Sequence, residues 1–232
     1  MTSPMLLHLL LAIALGATAI ILHEVAHGYA ALALGDETAL KAGRLTLNPL
    51  KHVDRVGTVL LPGFLIVGQL LSVGRVIFMF GWAKPVPIDP TKFRLPRQMM
   101  ALVALAGPAM NFSLAFLAAH ILLFSNLPAW LVQAVADFIQ FNLVLGLFNL
   151  VPVPPLDGGR VMVGILPRRL AVAWAQLEPF GIALVMLLIV VPPLLRQGGI
   201  VDVDPLGSVL GPALEWAFNG ILWLAGVPHD PG

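Results

Sequence analysis

Apolar residues in this chain gather into six long runs, at about residues 5 to 34, 57 to 73, 98 to 124, 131 to 151, 178 to 195 and 206 to 226. A helix needs roughly 20 residues to cross a hydrocarbon core, and most of the runs are long enough. The second is short, and Gly57, Pro62, Gly63, Gly68 and Gly74 weaken a straight helix there. The sizeable polar stretches are 36 to 56 and 75 to 97, and neither is long enough for a core of its own. Within the first, Gly43 to Pro49 alternates like a short strand and stops at Asn48-Pro49. Within the second, Lys84 to Pro90 has proline at every second or third position and must be extended.

Composition sets the solvent. Of 232 residues, 59% are hydrophobic and 11% charged, and the mean hydropathy is +0.93. A soluble domain needs far more charged surface than that, so the bilayer is the expected surroundings. The implied fold class is an all-α membrane protein, a polytopic helical bundle, with one short β element near residues 43 to 50. Residues 1 to 22 lack the positive start of a signal peptide, and the apolar pattern runs on to Leu34, so a retained helix is expected. The net charge of +1, with no basic run interleaved with aromatics, sets nucleic-acid binding aside. The absence of cysteine excludes thiol catalysis and cysteine-held metals, leaving His, Asp and Glu as ligands.

The thirteen Lys and Arg residues decide between topologies. If all six runs cross, the two sides receive eight and five of them. If residues 57 to 73 dip in and return, Arg196 alone faces the far side and the other twelve share one face. The excess of positive charge on cytoplasmic loops prefers the second arrangement. Five full spans are therefore expected, with a re-entrant or peripheral segment at 57 to 73, the β element on the cytoplasmic side and the N-terminus outside the cytoplasm. The expected location is the cell membrane, in a single membrane-embedded domain over 1 to 232. Its motifs fall in a core from 5 to 166, and the spans within 167 to 226 are accessory. Met99, Met100, Phe78, Phe80 and Trp82 read as interfacial anchors or core.

The chemistry gathers at His23-Glu24-Val25-Ala26-His27, which fits H-E-x-x-H. Residues four apart share a helix face, so both imidazoles reach one tetrahedral Zn²⁺ while Glu24 sits beside them as a base toward water. The motif lies about 16 Å inside the helix from Leu34, at 1.5 Å per residue. Three ionisable groups there would cost several kcal/mol unpaired in lipid, and a metal removes much of that cost. A catalytic zinc takes three protein ligands. Candidates for the third are Asp137, Asp157, Glu178, His8 and His120. His8, four turns before His23 on the same helix, cannot reach the same ion. His120 reads better as a packing donor, Glu178 as a helix-terminal carboxylate and Asp137 as a wet group near a span's outer end. Asp157 lies in Asn149-Leu150-Val151-Pro152-Val153-Pro154-Pro155-Leu156-Asp157-Gly158-Gly159. Three prolines there interrupt an apolar span, which a membrane accepts only around a cavity. The competing reading of Asp157 is a cap on the next short helix.

At these residues the chain resembles the site-2 protease family of intramembrane metalloproteases. Three blocks match in order: His23 to His27, Gly107-Pro108-Ala109-Met110-Asn111 for G-P-x-x-N, and Asn149 to Gly159 for N-x-x-P-x-P-x-L-D-G. The resemblance implies one zinc per chain held by His23, His27 and Asp157, with Glu24 as catalytic base, nearer the cytoplasmic face. The chain departs from larger family members in having no PDZ insertion between Asn111 and Asn149, and a compact form without a nucleotide-binding regulatory domain is expected.

The implied reaction is hydrolysis of peptide bonds in or near the transmembrane segment of a membrane-protein substrate, with the bilayer as the other partner. Asn149 and Asn111 are candidate oxyanion donors, each with an interhelical hydrogen bond as the competing role; Asn142 fits less well. A substrate helix must be extended before cleavage, and the strand at 43 to 50 would hold it by adding a strand, the competing role being a packed cytoplasmic plug. The rivals are a divalent-metal transporter, which needs ligands spread across the bilayer, and a non-catalytic relative that binds helices, against which Glu24 argues. Oligomeric state and substrate identity have no signal in the sequence.

Overall fold

The computed structural model describes residues 3–76, 81–197 and 205–228. Its helices are α1 Ser3–Ala33, α2 Thr38–Lys41, α3 Leu61–Val73, α4 Pro96–Ala119, α5 Ala129–Asn149, α6 Asp157–Ile165, α7 Arg168–Ala175, α8 Gly181–Gln197 and α9 Pro205–Leu224. The central helix is α4, which packs against α1, α5 and α6. Small residues make this possible: Ala101, Ala104, Gly107, Ala115, Ala118 and Ala119 are buried along α4 and let neighbouring backbones approach closely. Near one end an apolar cluster joins Ala115 and Ala119 to Ile139 and Leu143 of α5 and Ala217 and Leu222 of α9. A second, smaller cluster joins Ala31, Phe93 and Val103.

Large apolar side chains elsewhere face outward, among them Phe64, Leu71, Trp216 and Trp223. Such a surface would associate at once in water, whereas hydrocarbon accepts it. Among the described residues, five helices are long and apolar enough to cross a membrane: Leu6–Ala33, Arg55–Ser72, Pro96–Leu123, Ala129–Asn149 and Arg168–Ile189. The set departs from the sequence reading in two places. Residues 57 to 73, expected to make a weak helix, form a continuous one. Its irregularities fall where a helix tolerates them: a π-helical turn occupies Arg55–Leu60, Pro62 sits in the first turn of α3, and Gly74 closes the helix with φ 75°. Conversely α9 is helical but is not among the five. Pro212, Glu215 and Asn219 dilute its apolar run.

The expected strand at 43 to 50 is also corrected. That segment is bends and extended backbone leading into a short 3₁₀ turn at Pro49–Lys51, and no strand occurs among the described residues. Alternation supplies a two-faced segment, but a strand needs a partner ladder. Here His52 and Asn48 fold the chain on itself, through a His52 Nε2 contact with the Thr46 carbonyl at 2.8 Å and Asn48 Oδ1 accepting from the Leu50 N–H at 3.0 Å. The residues Phe78 and Phe80 lie outside the described residues; Trp82 packs over Gly57, where a Cβ would overlap its ring.

The chain on the two sides of α3 is tied together. The Lys84 N–H donates to the His52 carbonyl at 2.8 Å, the Trp82 N–H to Gly57 at 3.2 Å, Arg44 Nη2 to the Lys84 carbonyl at 2.7 Å, and Lys92 pairs with Asp36 at 3.2 Å. Segments joined by so many bonds are expected on one side of a bilayer. Because the chain has no cysteine, single cysteines at Lys51 and Arg94 test this with a membrane-impermeant maleimide. Both should label from the same side of sealed vesicles; labelling from opposite sides would refute the arrangement.

Candidate metal centre

The centre is assembled from three helices. His23 and His27 stand one turn apart on α1, and both are buried. Asp157 opens α6, also buried, and reaches them because the chain breaks after Asn149 and folds back. Glycine makes the return possible. A Cβ on Gly158 would overlap the Leu150 carbonyl, and one on Gly159 would come within 2.6 Å of Pro154 N. At its other end α6 is clamped to α4 by Arg97, whose Nε and Nη2 donate to the Val163 carbonyl at 3.1 and 2.8 Å and whose Nη2 donates to Leu166 at 2.5 Å.

The three donor atoms form a nearly equilateral triangle. His23 Nε2 and His27 Nε2 are 3.1 Å apart, and each is 3.2 Å from Asp157 Oδ2. Ligands of a tetrahedral ion with bonds near 2.0 Å stand about 3.3 Å from one another, so the triangle matches one face of such a site. Proton positions agree. His27 Nδ1 lies 2.8 Å from the Val103 carbonyl, an acceptor only, so Nδ1 carries the proton and Nε2 a lone pair. His23 Nδ1 donates to Asn111 Oδ1 at 2.6 Å, which leaves its Nε2 in the same state. Asp157 Oδ2 is buried without a hydrogen-bond partner. Three lone pairs converging in an apolar interior repel unless a cation lies among them. Two neutral imidazoles and one carboxylate suit a divalent ion, zinc above all.

Gly107 is the fourth wall. A Cβ there would stand 2.5 Å from His27 Nε2 and 2.6 Å from His23 Nε2, so only glycine leaves the space open. The sequence signals the block that contains Gly107 without revealing this role. Asn111 is fully buried with both ends of its amide engaged: Oδ1 on His23, and Nδ2 donating to Asn142 Oδ1 at 3.0 Å. Asn149 is half-buried and donates from Nδ2 to the Leu145 carbonyl of its own helix at 2.9 Å. The other candidate ligands lie outside the cluster. His120 bonds its own helix at the Phe116 carbonyl, Asp137 accepts from Gln133, and Glu178 faces Arg160 at 3.9 Å. His8 is exposed.

Glu24 Oε2 accepts the Val86 N–H at 3.0 Å. No sequence motif points to that donor, since any residue supplies one. The Val86 segment is held by Arg44 on one side and on the other by Asp36, whose Oδ2 accepts the Asp89 N–H at 2.7 Å. Asp36 is wholly buried, and burial alone would raise its pKa. Hydrogen bonds from the Thr38 hydroxyl, the Asp89 and Thr38 N–H groups and Lys92 instead bring the carboxyl down to about 2. Gly28 lets the segment lie close, because a Cβ there would touch Leu45 and stand 3.1 Å from Val86 Cγ1. Beside the centre an apolar cavity of about 690 Å³ opens between α1 and α4, bordered by Leu22, Tyr29, Met110 and the segment Leu45 to Leu47.

Fold and site together define an apolar helical protein with a buried two-histidine, one-aspartate cluster that could hold a metal ion, a donor set suited to a hydrolytic zinc enzyme. The comparisons agree. The model of peptidase family M50 matches residues 126–191, which include the Asn149 to Gly159 block. "Putative zinc metalloprotease YwhC" of Bacillus subtilis (strain 168) is 39% identical over 222 residues, covering 90% of this chain and 88% of that protein. "Putative zinc metalloprotease Rip2" of Mycobacterium tuberculosis H37Rv is 30% identical over 75% of this chain, which spans 64% of that relative's length. Its namesake in Mycolicibacterium smegmatis is 31% identical over the same share. No solved structure matches the chain. The chain belongs to peptidase family M50, the site-2 protease family of zinc metalloproteases.

Gly107→Ala should lower zinc affinity by about 10- to 100-fold, since its Cβ enters the donor triangle, while Gly63→Ala, which meets open space, should leave it unchanged. Chelator competition on the purified protein measures both. Equal affinities would show that the triangle is not the zinc site.

Proposed function

We propose that this protein is a zinc-dependent intramembrane endopeptidase that hydrolyses peptide bonds in or near transmembrane segments of membrane-protein substrates. The observation that carries the reading is the buried triangle of ligand-type atoms formed by two imidazole nitrogens and one carboxylate oxygen. His23, His27 and Asp157 would hold one Zn²⁺ per chain. Bound there, zinc supplies a Lewis acid that acidifies a water and polarises a peptide carbonyl.

The remaining steps belong to the protein. Glu24 acts as general base, taking a proton from the attacking water and passing it to the leaving amine. The Val86 N–H fixes Oε2, so the free oxygen, Oε1, is the one that moves the proton. Asn149, with its Oδ1 and second N–H uncommitted to Leu145, is the better oxyanion donor of the two candidates. Asn111 is fully occupied, which favours a supporting role for it.

A substrate must reach this centre as an extended chain. The cavity between α1 and α4 is apolar, suits aliphatic side chains and is bordered by backbone at Leu45 to Leu47 that has no strand partner. A substrate strand added along that backbone would gain main-chain hydrogen bonds there. The bonded flanks of α3 support a re-entrant excursion at 57 to 73, with the polar segments on the cytoplasmic side, the N-terminus outside and the cell membrane as location. We read 1 to 232 as one protease domain, its chemistry confined to 5–166.

A metal transporter would distribute ligands along a path. Among the described residues the one group of three or more candidate ligands is His23, His27 and Asp157. Glu24→Gln separates the alternatives. A protease loses cleavage of a transmembrane substrate by about 10²-fold or more while retaining zinc. Undiminished cleavage would reject Glu24 as the base, and a wild-type protein that binds zinc and cuts no membrane peptide would favour the non-catalytic reading.

A further inference from the structure

Asn142 of α5 and Asn111 of α4 are both fully buried, on different helices, in the apolar heart of the bundle. Burying two carboxamides is costly unless every polar atom is used in a defined direction. Here the direction can be traced from one end. Asn142 Nδ2 lies 2.9 Å from the Phe138 carbonyl, which only accepts, so the amide nitrogen must face it. That orientation turns Asn142 Oδ1 toward Asn111, which must answer with its own nitrogen, Nδ2, at 3.0 Å. Asn111 Oδ1 is then left facing His23 Nδ1 at 2.6 Å, and an oxygen there requires the proton on Nδ1.

We infer that Asn142 is a positioning residue for the metal centre: through Asn111 it fixes the imidazole of His23 with its proton on Nδ1 and its lone pair on Nε2. It touches neither the metal ligands' donor atoms nor the substrate cavity. The two histidines are thus set by different means. His27 is fixed by a backbone carbonyl, which cannot rotate, whereas His23 is fixed by an amide, which can. An amide that flips presents N–H to the imidazole and favours the opposite tautomer, with the lone pair turned away from Asp157. Asn142 removes that freedom, which is why two asparagines are needed where one carbonyl suffices for His27. The inference rests on the reading of the triangle as a zinc site, but on nothing about proteolysis.

The relay makes a prediction that simple packing does not. Aspartate in place of Asn111 has two equivalent oxygens, so it accepts from His23 Nδ1 whichever way it is turned, and Asn142 becomes dispensable. In the otherwise natural chain, Asn142→Leu should weaken zinc binding about tenfold or more, the size expected for losing an outer partner of a ligand histidine. In the Asn111→Asp background the same change should be neutral, within about threefold, or favourable, because the introduced carboxylate then no longer has to face the oxygen of Asn142. Zinc affinity is read by chelator competition and folding by thermal unfolding of the zinc-free proteins. If the leucine variant fails to fold, Asn142→Ala is compared in the same two backgrounds. Equal losses in both backgrounds would make Asn142 a packing residue only, and no loss in either would remove it from the site; both outcomes overturn the relay. Failure of the unaltered protein to bind zinc would instead refute the zinc site itself.

Discussion

Three lone pairs within about 3.2 Å of one another, buried among apolar side chains, cannot coexist without a positive charge between them. That constraint organises the protein. In water, His23, His27 and Asp157 could each turn away and be hydrated. In a bilayer there is nowhere to turn, and each outer nitrogen is already committed to Asn111 or Val103. The surrounding bundle delivers the donors with the proton on the far side of each ring and leaves the near side to a cation. A cation bound there would offset the cost of placing these polar groups in the membrane.

The rest of the fold serves the approach of three helices to one point. Gly107 lacks a side chain where the candidate ligands meet, and the alanines beside it let α1 and α6 lie against α4. The proline-rich break turns the chain so that α6 begins at Asp157, and Gly158 and Gly159 allow that turn to close on its own backbone. Outside the bundle, buried Asp36 and Arg44 hold the Val86 segment against α1, which brings a backbone donor to Glu24. The groups around the candidate base are thus set by loops anchored at the polar face, while the candidate metal ligands are set by helices inside.

Much of this is legible in the sequence because membrane burial makes polar residues expensive. His23, Glu24 and His27 stand out in an apolar run, and Asp157 stands out because prolines break a span beside it. Features that cost nothing locally are illegible. The Val103 carbonyl and Val86 N–H belong to every residue, so no residue type marks them. Asn142 reads as one more interhelical amide, since its role exists only through Asn111 on another helix. Alternation at 43 to 50 suggests a strand, yet a strand is a relation between two segments, and the second is absent among the described residues. Glycine and proline at 57 to 74 suggest weakness. The positions of Pro62, in the first turn of α3, and of Gly74, at its αL cap, depend on boundaries that composition does not set.

X-ray absorption at the zinc edge of the purified protein reads the triangle itself. Zinc held by His23, His27 and Asp157 should appear as one zinc per chain in a four-coordinate nitrogen and oxygen shell at about 2.0 to 2.1 Å, with the outer-ring scattering of two imidazoles. The signal should lose one imidazole's scattering in His27→Ala and keep both in His120→Ala. A six-coordinate, oxygen-rich shell, or a spectrum unchanged by His27→Ala, would contradict it.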